Sequence, residues 1–250
     1  MKIIDLSTRI ENNCSEVNKI EHTRLNGKDG AKYISKKSGI DINNFPNQEF
    51  LTLDTYKLNT HMGTHVDAPI HYGHNSHGCQ NKSIDEIPLD WFIGDAKKLD
   101  FTKFPRKKNI EKEDILKALD EYNLSINPGD IILIWTGMGE LYGTKEYFSD
   151  GPGLSQSATK YLLTSGVKVI GIDAFGLDRS FPTMIDEFNK NKDKNILWPS
   201  HFLGRDIPYI QVEKLINLDK VPSNNFKVVF LPLKLVGGDA SWIRAIAILE

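Results

Sequence analysis

Residues 61–71 read His-Met-Gly-Thr-His-Val-Asp-Ala-Pro-Ile-His and place three of the chain's seven histidines beside one aspartate. Gly63 and Pro69 argue against a helix here, because proline lacks an N–H and glycine is a poor helix former. In an extended chain, side chains alternate between faces with a period of two. His61, His65, Asp67 and His71 then all point to one side. Neutral imidazole and carboxylate are the usual ligands of Zn²⁺, Mn²⁺ and Fe²⁺. The stretch therefore predicts a site of two histidines and one carboxylate around a metal, with a further histidine left for acid–base work.

The rest of the chain has to frame that stretch. Its 250 residues suffice for one large domain or two small ones, and one domain over 1–250 is expected. A chain of this size buries roughly 70–75% of its unfolded surface, so it needs neither disulfide nor metal merely to fold. The 31 basic and 33 acidic residues leave a net charge of −2 without a basic patch, which argues against a nucleic-acid partner. Cys14 and Cys79 match no zinc or redox spacing and read as two free thiols. No apolar run reaches the length of a membrane span, and the first ten residues lack a signal-peptide core. A cytoplasmic protein with no membrane partner is expected.

Read in order, residues 2–6 form a short strand, and residues 27–39 a helix stopped by Gly39. Residues 50–58 form a β-prone run leading toward the histidines. His74 and His77, in the loop after His71, are either further ligands or exposed loop residues. Residues 84–93 make an apolar turn expected to line the site's outer wall. A strand at 94–101, a helix at 110–123 and a buried strand at 131–135 follow. Asp150-Gly-Pro-Gly-Leu-Ser155 is a tight turn entering a helix at 156–165, whose first N–H groups are either simply capped or face a substrate oxyanion.

Residues 167–172 are an apolar strand ending in Asp173, followed by Asp178 and Arg179. Charged residues just past a buried strand are either well placed for a site in an open α/β sheet or held in a local salt bridge or Asx turn. Residues 183–196, rich in Lys, Asn and Asp, read as a flexible polar insertion. From Ile207 the chain alternates, so Gln211 and Glu213 share one face. Each is either solvated or, if buried, paired or metal-bound. Strands at 226–232 and 243–248 close a mixed α/β fold.

The 61–71 stretch fills every fixed position of H-x-G-T-H-x-D-x-P-x-H. It resembles the signature of the metal-dependent cyclase family, which includes bacterial kynurenine formamidases and isatin hydrolases. Asp5-Leu-Ser, Ile84-Asp-Glu-Ile-Pro-Leu-Asp-Trp91, Gly171-Ile-Asp173-Ala-Phe-Gly-Leu-Asp178, Gln211-Val-Glu213-Lys-Leu and Pro232-Leu-Lys-Leu-Val-Gly237 resemble family segments in the same order. Several are more similar to the isatin-hydrolase-like branch.

The resemblance implies a swivelling β/α/β fold with a mixed sheet, one or two Mn²⁺ or Zn²⁺ ions per subunit, and hydrolysis of an amide. By it, His61, His65 and Asp67 correspond to metal ligands, Glu213 to a ligand in dinuclear members, His71 to the proton-transfer catalytic residue, and His201 to a later catalytic-site histidine that either binds a second ion or hydrogen-bonds the oxyanion. Gln211 lies on the same face, where it either joins the ligands or excludes a second ion. Phe175 and Trp91 are candidates to flank a planar substrate, with Asp173 nearby. The expected partner is a small amide or lactam, cyclic as in isatin or linear as in a formamide, and the expected assembly is a homo-oligomer. A non-catalytic metal-binding protein would keep His61, His65 and Asp67 but would not need His71.

Overall fold

The computed structural model describes residues 1–249. The strands are β1 (Lys2–Asp5), β2 (Glu21–Leu25), β3 (Leu53–Lys57), β4 (His65–Asp67), β5 (Ile93–Asp100), β6 (Asn109–Ile110), β7 (Ile131–Trp135), β8 (Gly153–Leu154), β9 (Val169–Ile172), β10 (Ile210–Glu213), β11 (Phe226–Val229), β12 (Ala240–Trp242) and β13 (Ile246–Leu249). The helices are α1 (Gly27–Ser38), α2 (Lys112–Glu121), α3 (Lys145–Ser149), α4 (Gln156–Thr164), α5 (Phe181–Asn191) and α6 (Pro199–Leu203).

Nine strands join in the order β1-β13-β11-β5-β7-β9-β10-β4-β12. Its centre, β5-β7-β9-β10, is parallel. Both flanks are antiparallel. The parallel centre explains the unbroken apolar runs, because such strands are covered on both faces. Alternation along β7 sends Ile131 and Leu133 into one core layer and Ile132 and Ile134 into the other. Each fully buried side chain of this kind contributes roughly 1.5–3 kcal/mol. The second layer is closed by α2, through Ile115, Ala118 and Leu119, and by α4, through Ala158, Leu162 and Leu163. This is the mixed α/β architecture expected.

The chain divides into two compact units: Met1–Val17 with Thr60–Glu250, and Asn18–Asn59. The smaller unit contains α1 and the antiparallel β2–β3 hairpin. Gly39 ends α1 with φ +75°, the left-handed cap expected of that glycine. No helix among the described residues is long and apolar enough to cross a membrane.

Two expectations need correction. Residues 183–196 are not a loose insertion: most of them form the end of α5, followed by a 3₁₀ turn at Lys194–Ile196. Met184 is buried, with Ile185 and Phe188 half-buried, so a short apolar stripe at helical spacing lies hidden among the Lys and Asn residues. The histidine stretch is likewise not one extended run. Only His65–Asp67 is strand; Gly63 turns with φ +62° and Pro69–Tyr72 coil into a 3₁₀ turn.

β8 runs against the loop that carries Asp178 and Arg179. A Cβ at Gly153 would lie 2.1 Å from both the Arg179 nitrogen and the Asp178 carbonyl carbon. Both are backbone atoms, so neither can rotate away. Gly153→Ala should therefore cost about 1–3 kcal/mol or more, lowering Tm by at least roughly 2–4 °C. At Gly151 a Cβ would meet only Ala174 Cβ at 3.6 Å, so Gly151→Ala is the control. Equal melting temperatures for the two variants would contradict this packing.

Candidate metal centre

Two neighbouring strands supply the centre of the site. β4 and β10 pair antiparallel, with Asp67 opposite Gln211 and His65 opposite Glu213. Val66 and Val212 point into the first core layer, so strand alternation turns His65, Asp67, Gln211 and Glu213 to the opposite face. All four are nearly inaccessible to water.

His65 Nδ1 donates to the Gly63 carbonyl at 2.8 Å. A carbonyl only accepts, so the proton sits on Nδ1 and Nε2 offers a lone pair. That Nε2 lies 3.2 Å from Asp67 Oδ1, 3.5 Å from Glu213 Oε2 and 3.2 Å from His61 Nδ1. His61 Nδ1 is itself 2.8 Å from Asp67 Oδ1. His61 arrives from the turn before β4, not along the strand. Glu213 Oε1 also accepts the Leu177 N–H at 3.1 Å, and Gly176 lets that loop approach, since a Cβ there would meet Glu213 Oε1 at 3.4 Å.

His201 comes from α6, far away in sequence. Asp178 accepts the N–H groups of Ser200 and His201 and the Nδ1–H of the His201 ring. The ring is thereby held with Nε2 turned inward, 3.8 Å from both Asp67 Oδ2 and Glu213 Oε1. His71 stands on the 3₁₀ turn at the rim, its ring centroid 4.3 Å from that of His61 and 5.6 Å from that of His201. The four residues of 61–71 do converge, but by turns on either side of a three-residue strand.

These groups hold positive charge strongly. Burial disfavours the charged His61 ring, but Asp67 and Asp239 outweigh it and raise the ring to about 10. Burial likewise opposes charge on His201, and Asp178 with Glu213 and Asp67 overrides it, raising the ring to about 9. Burial pushes the Asp67 carboxyl up, yet His61 and His65 hold it well below the usual range. Glu213 is pushed up by burial and by Asp67.

Both Asp67 oxygens are buried and neither receives a properly aligned hydrogen bond. A buried carboxylate in that state is costly unless a cation faces it. Donor atoms of His61, His65 and Asp67 lie within 4.8 Å of one another, as do those of Asp67, His71 and His201. The donor set thus fits a divalent ion, with nitrogen and oxygen ligands that do not choose between Mn²⁺ and Zn²⁺.

The site opens into a cavity of about 210 Å³. Phe148, Phe175, Phe181 and Trp198 line it together with the histidines and carboxylates. The Phe175 ring stands edge-on to that of Phe148, with centroids 5.0 Å apart. Other expected residues do not line it. Trp91 packs on the first core layer with Ile84, Ile87 and Phe92, because that turn is apolar on its inner side. Asp173 is buried behind the wall, accepting hydrogen bonds from the Thr136 amide and hydroxyl and the Gly139 amide. Burial, offset in part by those bonds, raises it to about 6. Gln211 faces the site, but its amide nitrogen donates to the Tyr209 hydroxyl at 2.6 Å, and it does not line the cavity. His74 and His77 are exposed. The α4 start does not face the cavity either: Ser155 Oγ caps it by accepting the Ala158 N–H.

Sequence reading missed Trp198 and Asp239, and it noted Asp178 without a partner. Trp198 has φ +46°, unusual for a bulky residue, and caps the short helix that carries His201. Asp239 follows two glycines, a sequence that signals no more than a turn.

The model of the family described as "Putative cyclase" matches residues 4–179. The kynurenine formamidase of Salinibacter ruber is 29% identical over 197 residues, covering 78% of this chain and 79% of that protein. The fold matches an isatin hydrolase bound to the product analogue thioisatinate, with TM-score 0.77, 20% identity and coverage of 100% of this chain and 93% of that one. Isatin hydrolase A from Ralstonia solanacearum matches with TM-score 0.77 and 20% identity, covering 100% of this chain and 92% of that one.

The raised His61 ring carries a proton near neutrality that an arriving ion must displace. Zn²⁺ or Mn²⁺ added to metal-free protein at pH 7 should therefore release protons, and affinity should fall as pH falls. Calorimetric titration in buffers of different ionisation heat reads the proton count. Binding with no proton release would contradict ligation by His61.

Proposed function

The chain belongs to the cyclase family, and on that premise we propose that it is a metal-dependent hydrolase cleaving the carbon–nitrogen bond of a small amide. The observation that carries this reading is the convergence of His61, His65, Asp67 and Glu213, with His201 and His71 beside them, in a cavity also lined by aromatic rings. The preferred substrate is a planar cyclic amide of the isatin type. Full-length likeness to isatin hydrolases and the aromatic walls support it. The sequence relatives named kynurenine formamidase favour a second reading, a linear aryl formamide.

His61, His65 and Asp67 would hold the ion, with Glu213 beside them as a further ligand. A bound divalent ion supplies Lewis-acid polarisation of a carbonyl and a water of lowered pKa. Phe148, Phe175, Phe181 and Trp198 flank the planar part of the substrate and exclude bulk water. His71, at the rim, takes a proton from the attacking water and returns it to the leaving nitrogen. A positioned acid–base group of this kind contributes ~10²–10⁴-fold. His201, with Nδ1–H anchored on Asp178, holds a proton at Nε2 and donates it as a hydrogen bond to the developing oxyanion.

Metal-stripped protein given back Mn²⁺ or Zn²⁺ should hydrolyse one member of a panel containing isatin, N-formylkynurenine and simple lactams and lactones. The substrate that turns over selects between the cyclic and linear readings. His65→Ala should lose the ion. His71→Ala should keep it while kcat falls ~10²–10⁴-fold. Stoichiometric metal in His65→Ala, or full turnover by His71→Ala at neutral pH, would refute the corresponding assignment.

A further inference from the structure

The two ring nitrogens of His61 face different groups. Nδ1 looks inward, 2.8 Å from Asp67 Oδ1 and 3.2 Å from His65 Nε2. Nε2 looks outward, 3.0 Å from Asp239 Oδ2. Asp239 is fixed in that position from several sides. Thr60 Oγ1 donates to its other oxygen, Oδ1, at 3.0 Å. Its backbone carbonyl accepts the Ala68 N–H at 2.9 Å, tying it to the residue after β4. The next residue, Ala240, pairs with Asp67 in the sheet. The carboxylate is thus built onto the same strand pair that presents the buried ligands.

An ionised carboxylate only accepts hydrogen bonds, so the His61 nitrogen facing it carries a proton. The remaining nitrogen, once an arriving ion displaces its proton, offers a lone pair. We propose that Asp239 is a positioning residue that fixes His61 as the Nε2–H tautomer and so presents Nδ1 to the ion held with His65 and Asp67. This rests on the reading that the inner cluster binds a divalent ion. Carboxylate partners of metal-bound imidazoles act in this way, fixing ring orientation and raising ligand basicity.

The inference also settles the use of a second grouping. His61, His71 and Asp239 bring donor atoms within 4.8 Å of one another and resemble a metal site in their own right. His71 Nδ1 is 3.7 Å from Asp239 Oδ2. A proton on His61 Nε2 removes the lone pair that an ion there would need. The His61–Asp239 pair is therefore a hydrogen-bonded support with His71 beside it, and the inner cluster holds the ion.

The test exploits tautomer choice. In Asp239→Asn the Thr60 hydroxyl donates to the amide oxygen, which turns the NH₂ toward His61. A donor facing Nε2 selects the Nδ1–H form and puts a proton where the ion binds. Loss of an orienting carboxylate to the isosteric amide elsewhere fails through the same wrong tautomer. Asp239→Ala removes the carboxylate without imposing either form.

Zn²⁺ and, separately, Mn²⁺ are titrated calorimetrically into metal-free wild type, Asp239→Asn, Asp239→Ala and Asp239→Glu, with circular dichroism to check folding. Asn should weaken affinity about 10–100-fold, Ala should weaken it less, and Glu should recover part of the loss. Stoichiometry should match wild type throughout. A merely structural role would make Ala at least as harmful as the isosteric Asn. Wild-type affinity in Asp239→Asn, a larger loss in Ala than in Asn, or the disappearance of one bound equivalent would overturn the inference. Tight binding by wild type with any of those results refutes the role of Asp239 alone. No binding by wild type refutes the proposed function as well.

Discussion

Two carboxylates buried side by side set the terms for the rest of this molecule. Asp67 and Glu213 stand on adjacent strands, each almost sealed from water. Burying a charge costs several kcal/mol even after relaxation, and repulsion between like charges adds to that cost. Imidazole rings from the 61–71 stretch and from α6 surround the pair. The parallel apolar centre of the sheet supplies the burial free energy that allows one edge of the second face to be given over to charge. The site is a concession made by a stable sheet, and its shape follows from that sheet's register.

Around that centre, each inward ring is oriented by an acceptor on its other nitrogen. The Gly63 carbonyl holds His65, and Asp178 holds His201. Asp239 faces His61 in the same manner. The three acceptors differ in charge and come from distant parts of the chain, yet each directs a lone pair or a proton toward the same small volume. Orientation, more than ligand identity, is what the surrounding loops contribute. Gly63, with φ in the left-handed region, shows the point locally, because its carbonyl fixes a ring two residues on.

Much of the frame was legible in the sequence because burial on both faces writes itself as unbroken apolar residues. The strand expected at 131–135 is Ile131–Trp135 itself, and the helices expected at 27–39 and 156–165 end one residue earlier, at Ser38 and Thr164. Alternation identified Gln211 and Glu213 as sharing a face with each other, though it did not reveal that Gln211 spends its amide on Tyr209. The α5 stripe was obscured because charge counting weighs its exposed Lys and Asn as heavily as its few buried residues. Trp91 and Asp173 were drawn toward the cavity by their type and position near strand ends. What actually placed them elsewhere was packing, which depends on partners distant in sequence. Asp239 was invisible for the same reason: nothing local distinguishes a carboxylate in a glycine turn from one that faces a histidine 178 residues earlier.

The strand order bears on how the chain reaches this state. β4 lies between β10 and β12, and β1 pairs with β13. Every pairing that seals the histidine strand is therefore with residues far along the chain, and loop closure of that length must precede any gain from it. During synthesis, β4 waits with an exposed His-Val-Asp segment until β10 and β12 have emerged. The early chain has histidines but no enclosure for them. Capture of an ion in the assembled geometry belongs to the last stage of folding, and the ion that is kept is the one available to the nearly complete sheet.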